Sequence, residues 1–223
     1  MIKRFSLLHA AAGLLAGAAL SLSAFAAPAP APAPAELDQG IRALQDDWAV
    51  IQYQTPAKQR EARFEALSQT AHALTARYAT RAEPHIWEGI ILSSWAGAKG
   101  GLGALGLAKQ AKAEYETAIQ IDSKALGGSA LNSLGVLYYK VPGWPVGFGD
   151  NKKAEALLQQ ALALNPDGID ANYFYADYLV YRNRKTEAIP YLEKALKAPP
   201  RPDREVADAG RRQEAQALLD TVR

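Results

Sequence analysis

Cysteine is absent from this 223-residue chain, which removes disulfides, thiolate metal sites, thiol nucleophiles and any lipid joined through a thiol. Histidine is nearly as scarce. His9, His72 and His85 lie far apart without patterned partners, so His72 and His85 read as surface or cap residues rather than metal ligands. The sequence holds no His-Glu-x-x-His run and no Gly-x-Ser-x-Gly elbow, and adjacent carboxylates such as Asp46 and Asp47 point apart on a helix. Neither catalysis nor a metal nor a cofactor is expected. Charge of one sign is also missing: once Lys3 and Arg4 leave with the leader described next, the 25 basic side chains fall to 23, equal to the acidic ones. That balance argues against nucleic acid, which rewards a basic face.

The N-terminus reads as a leader. Lys3 and Arg4 precede an apolar stretch, Leu7 to Leu22, broken by Gly13, Gly17, Ser21 and Ser23, and Ala24-Phe25-Ala26 offers a small-x-small processing site. Cleavage after Ala26 is expected, releasing a soluble periplasmic protein with no stable membrane anchor. Residues 27–35 alternate alanine and proline, so every second residue lacks an amide hydrogen, and the segment reads as a stiff, extended spacer.

From residue 36 onward apolar residues recur at helical spacing. Leu37, Ile41, Leu44, Trp48 and Ile51 form one stripe ended by Pro56, and Phe64, Leu67, Ala71, Leu74 and Tyr78 form a second, so 36–82 is expected to be an N-terminal helical pair. Beyond it small residues fall in columns: Gly89, Gly135 and Ala176; Ala111, Ala154 and Ala188; Ala118, Ala161 and Ala195. Ala154 to Ala188, Leu158 to Leu192, Ala161 to Ala195 and Pro166 to Pro200 are each 34 positions apart. Small residues at that period let paired helices approach and nest, and this pattern resembles the tetratricopeptide repeat family. The expected fold is an all-α, right-handed superhelical solenoid of antiparallel helix pairs. Three repeats span 83–200, with long turns at 97–106 and 141–150, and a capping helix lies in 201–223. In that helix Arg204, Arg211, Arg212, Glu214 and Asp220 make one polar side, while Val206, Ala209, Ala215 and Leu218 cover the last repeat.

Gly101-Leu102-Gly103-Ala104-Leu105-Gly106 matches the spacing of a dinucleotide-binding turn, with Asp122 as its acidic partner, but that turn works only between a strand and a helix. Helical flanks make it a glycine-rich turn instead. In the second turn Gly143, Gly147 and Gly149 allow positive φ, and Trp144 with Phe148 either contacts a ligand or packs back, with Asp150 capping the next helix. Tyr173, Asp177 and Tyr181 share a helix face at steps of four. The family resemblance places that face on the concave, partner-binding surface together with Trp87, Ile90, Asn132, Tyr139 and Lys140, while Tyr175 and Tyr178 turn into the core.

A protein or peptide partner on the concave face is what the repeat resemblance implies. The leader, the long glycine-containing turns and the Gly147-Phe148-Gly149-Asp150-Asn151-Lys152-Lys153-Ala154 junction also look like the T component of tripartite ATP-independent periplasmic transporters. That second resemblance implies a homotrimer around a pore, association with a solute-binding protein, and a small apolar ligand. Members of that family are commonly lipid-anchored through a cysteine, and this chain departs from them there. Self-association is left open.

Overall fold

The structure, a computed structural model, describes residues 34–223; the leader and most of the Ala/Pro segment lie outside the described residues. The described chain is helical throughout, with one isolated bridge between Gly143 and Gly149 as its only β pairing. Helix α1 (Pro34–Ala49) runs into a π-helical turn (Val50–Gln54), then come α2 (Ala57–Arg77), α3 (Ala82–Lys99), α4 (Gly101–Asp122), α5 (Ala125–Lys140), α6 (Asn151–Leu164), α7 (Ile169–Tyr181), α8 (Lys185–Lys197) and α9 (Glu205–Val222). Within the described residues α1 already includes Pro34 and Ala35, the last two residues of the stretch read as spacer.

Three helix pairs, α3 with α4, α5 with α6 and α7 with α8, form the repeats. The small columns sit where expected. Ala111, Ala118, Ala154, Ala161, Ala188 and Ala195 are all buried. A Cβ on Gly89 would lie 2.5 Å from Cε1 of Tyr115, and one on Gly135 would lie 2.8 Å from Cγ of Leu158. Full burial of Leu158 and Leu192 stabilises each pair by about 2 kcal/mol per side chain.

The long turn expected at 97–106 is not a turn. Helix α3 continues to Lys99, the chain reverses at Gly100 (φ 65°) and Gly101 (φ 59°), and α4 is helical through Gly103 and Gly106. The two extended helices bury Ala96, Leu107 and Ala108 against each other and their neighbours, which outweighs the poor helix propensity of the glycines. The second turn, 141–150, is a loop as expected, but its glycines do not adopt positive φ. They are there for close approach: a Cβ on Gly149 would collide with the Val141 carbonyl oxygen, and one on Gly147 would stand 2.5 Å from that of Pro142. Asp150 caps α6, accepting from the amides of Lys152 (2.9 Å) and Lys153 (3.1 Å).

Helix α9 covers α7 and α8, and it also reaches α1 and the π-helical turn, so the two ends of the described chain meet. Gly210 makes the approach, since a Cβ there would collide with Cδ1 of Tyr53, and the Tyr53 hydroxyl donates to Glu214 Oε2 at 3.3 Å. The side of α9 expected to be polar is therefore partly inside, with Arg211 buried, while of the residues expected to cover the last repeat Ala209 is exposed and Val206 packs into the N-terminal cluster instead. His85 is buried as well, with Nδ1 2.6 Å from Glu114 and Nε2 3.0 Å from the Ala79 carbonyl, while His72 is exposed beside Glu88.

Candidate binding chamber on the concave face

The first helix of each repeat faces inward at helical spacing. Trp87, Ile90 and Ser94 on α3, Ser129, Asn132, Val136 and Lys140 on α5, and Asp170, Tyr173, Phe174 and Asp177 on α7 line one cavity of about 850 Å³. Gln45 and Trp48 of α1, Tyr53 of the π-helical turn, Phe64 of α2, Tyr115 of α4, and Arg201, Arg204, Arg211 and Glu214 at the C-terminal end complete the wall. Because α9 docks on the N-terminal turn, the concave groove is partly walled into a half-open chamber.

One side is aromatic. Trp48 meets Trp87 edge-on at 6.0 Å and Tyr53 at 5.8 Å. Tyr173 and Phe174 pack at 5.1 Å, and the Arg211 guanidinium lies over both rings, 4.6 Å and 4.3 Å from their centroids.

The other side is an ion network. Arg211 Nε donates to Asp170 Oδ1 and Arg201 Nη1 to Asp170 Oδ2, each at 2.7 Å. Arg201 also donates to Asp208 through its side chain (2.7 Å) and its amide (2.9 Å), and Arg211 Nη1 reaches Glu214 at 2.5 Å. Burial works to raise the Asp170 carboxyl, but Arg211 and Arg201 outweigh it and hold the group down at about 2. Asp177 accepts from the Tyr139 hydroxyl at 2.6 Å and pairs with Lys140 at 2.8 Å; burial first, then that carboxylate, pushes the Tyr139 phenol well above its ordinary value.

Of the residues singled out in the sequence, Trp87, Ile90, Asn132, Lys140, Tyr173 and Asp177 are brought together on this wall. Tyr139 is buried behind it and touches it through Asp177. Tyr181 is half exposed and packs on Tyr139 at 5.4 Å, away from the cavity. Tyr175 and Tyr178 are core, as expected. No residue of the 141–150 loop lines the chamber: Phe148 packs on Tyr138 at 5.8 Å, while Trp144 is 90% exposed.

Sequence reasoning missed Trp48, Tyr53, Arg201, Arg204 and Arg211 as wall residues. A signal for the last two exists in the stripe Arg204, Ala207, Arg211, Glu214, spaced by three and four, which alternates charge with a small residue on a single helix face.

Three polar atoms in this wall have no hydrogen-bond partner among the described residues: Nε1 of Trp87, Oδ1 of Asn132 and Nε of Arg204. Arg204 stacks on Trp87, its guanidinium carbon 5.1 Å from the ring centroid.

A tetratricopeptide repeat family model matches residues 146–209. No curated protein matches the chain. Among solved structures, a thermophilic tetratricopeptide-repeat protein of Thermus thermophilus, TTC0263, is similar at 18% identity and TM-score 0.54, covering 82% of this chain and 98% of that one. Yeast Tom70 is similar at 17% identity and TM-score 0.50, covering 84% of this chain but only 34% of that one. The resemblance to tetratricopeptide repeats read from the 34-residue columns holds, and the fold is the all-α helical solenoid expected, an architecture that serves as a scaffold for protein–protein interaction.

Proposed function

We propose that this chain is an exported, periplasmic, non-catalytic scaffold that takes a short segment of a partner protein into the concave chamber. The observation that carries the reading is the convergence of α3, α5 and α7 on one aromatic-walled cavity of about 850 Å³. Aromatic rings with polar tips bury large area at low entropic cost, the composition of binding hot spots. The chamber carboxylates favour binding over proton transfer, since Asp170 is fixed between two guanidiniums and Asp177 between Tyr139 and Lys140.

Photo-crosslinking residues introduced at Ile90 and Val136, inside the chamber, and at Lys109 and Lys152, on the outer helices, test this in cells. Crosslinks from 90 and 136 but not from 109 and 152 are expected; the opposite pattern would sink the reading. The intact mass of the exported protein should correspond to a start at Ala27, and a chain retaining residues 1–26 would remove the periplasmic assignment.

Partial closure of the chamber by α9 favours a second reading, an accessory subunit of solute transport that holds a small ligand and meets a solute-binding protein. Native mass spectrometry separates the two: a trimer with a small adduct supports transport, and a bare monomer or one carrying a peptide supports the scaffold.

A further inference from the structure

We propose that the 141–150 loop is a membrane-contact element, which seats Trp144 and Val146 in the interface of an anionic lipid bilayer while lysines around its base meet the headgroups. None of the residues involved lines the chamber.

Pro142 to Val146 are all exposed, Trp144 by 90% and Val146 by 60%, and no charged side chain occurs from 141 to 149. The loop beneath this tip is built rather than loose. The amides of Val146 and Gly147 both donate to the Gly143 carbonyl at 3.1 Å, that of Gly149 to the Pro142 carbonyl at 2.9 Å, and that of Asp150 to the Tyr138 carbonyl at 2.9 Å. Phe148 turns back onto Tyr138, and Gly147 and Gly149 let the two limbs of the loop touch. One aromatic side chain is therefore the root of the loop, and the other is held out in water, where its apolar area gains nothing until it is covered.

Cations are in excess around the base. Lys112 Nζ lies 6.0 Å from the centroid of the Phe148 ring, and Lys153 Nζ lies 5.5 Å from that of Tyr138. Lys152 precedes Lys153, and Lys109 stands one helical turn from Lys112 and one from Leu105, whose Cδ1 is 3.5 Å from a Cβ built on Gly147. The acids nearby are committed: Asp150 caps α6, Glu116 pairs with Lys112 and Glu155 with Arg184. Lys109, Lys152 and Lys153 are exposed and have no ion-pair partner among the described residues. A tryptophan at an apolar tip with lysines set behind it is the arrangement that suits a lipid interface, where each lysine strengthens binding to an anionic surface about fivefold. A protein partner fits less well. The indole N–H is the sole side-chain polar group from 142 to 146, so the tip carries no hydrogen-bond pattern, and two apolar side chains fall far short of the roughly 800 Å² that each partner buries in a stable protein interface. No described helix is long and apolar enough to cross a membrane, and a single loop of this kind makes a reversible contact.

The test is co-sedimentation of the purified protein with vesicles of phosphatidylcholine alone and of phosphatidylcholine mixed with phosphatidylglycerol, every variant being compared with a parent of the same length. The parent should partition at least about tenfold more strongly into the anionic vesicles. Trp144→Ser should lower that partition about tenfold, and the combination Lys109→Gln, Lys152→Gln and Lys153→Gln should abolish the preference for anionic lipid. Trp144→Phe should bind as the parent does but lose the quenching of tryptophan fluorescence by brominated lipid, since Trp48 and Trp87 are buried. Tyr181→Ser, at a half-exposed aromatic residue of α7, serves as the control and should bind as the parent does, with melting curves confirming that each variant folds. Equal partition into both vesicles, no binding to either, binding indifferent to Trp144→Ser, or quenching that survives Trp144→Phe overturns the proposal. A photo-crosslinker at position 144 that yields a discrete protein adduct in cells and no lipid adduct also overturns it and assigns the loop to a protein partner. The reading of the chamber stands or falls separately, on the crosslinks from positions 90 and 136.

Discussion

At the scale of the residue, Asp170 ties α7 to the C-terminal helix by accepting from both Arg201 and Arg211. An unfolded aspartate titrates near about 3.9, and the folded group near about 2, so the stabilisation is full above roughly pH 4 and is lost as pH falls through the folded value. Solvent reaches a third of the Asp170 side chain, which trims the contribution to about 1–2 kcal/mol at neutral pH. Asp170→Asn is expected to lower the melting temperature at pH 7 by roughly 3–8 °C and to converge on the parent near pH 2; a gap of the same size at both pH values would refute the pairing. Gly135 is set by geometry instead. Its missing side chain leaves room for Leu158 and, at 3.3 Å from a built Cβ, for the Ala154 carbonyl. Gly135→Leu should cost about 1–3 kcal/mol or more, seen as a lower urea midpoint with the slope retained, and an unchanged midpoint would show that α5 and α6 do not cross there.

At the scale of the element, the repeats were legible because packing repeats: the small residues of the columns are buried where the two helices of a pair meet, Gly89 against Tyr115 and Gly135 against Leu158. The face carrying Tyr173 and Asp177 was legible for a similar reason, since steps of three and four must share a side. Glycine misled the reading of 97–106 because it is a local signal, while the helix there is sustained by burial of Leu107 and Ala108 against residues distant in sequence. Gly106 tests this directly. It lies inside α4 with nothing within 4 Å of a built Cβ, so Gly106→Ala should stabilise the protein by about 0.5–1 kcal/mol, whereas in a flexible turn it would change little. Gly149→Ala should do the reverse, because its Cβ would collide with backbone at Val141 rather than with a side chain that can move. A lower melting temperature with faster hydrogen exchange at Asp150, whose amide donates to the Tyr138 carbonyl at 2.9 Å, is the expected result.

At the scale of the described domain, closure determines what the concave face can hold. No periodicity announces where the two ends of a solenoid meet, so the contact between α9 and the N-terminal turn left no trace in the repeat pattern, and the charges of Arg204 and Arg211 pointed to solvent. The contact depends on one absent side chain, that of Gly210, against the ring of Tyr53. Gly210→Val should therefore unfasten α9 from the turn at a cost of about 1–3 kcal/mol, and Tyr53→Ala should cost less in that background than alone, because the clash and the contact are the same pair. Since the chain has no cysteine of its own, cysteines placed at Asp38 and Ala217 give unique spin labels across the seam. Gly210→Val should broaden and lengthen the distance between them and speed hydrogen exchange across 50–54, while the repeats at α5 to α8 keep their protection. An unchanged distance would mean that the ends are held by their other contacts, Arg204 stacked on Trp87 and Val206 and Ala207 packed into the N-terminal cluster.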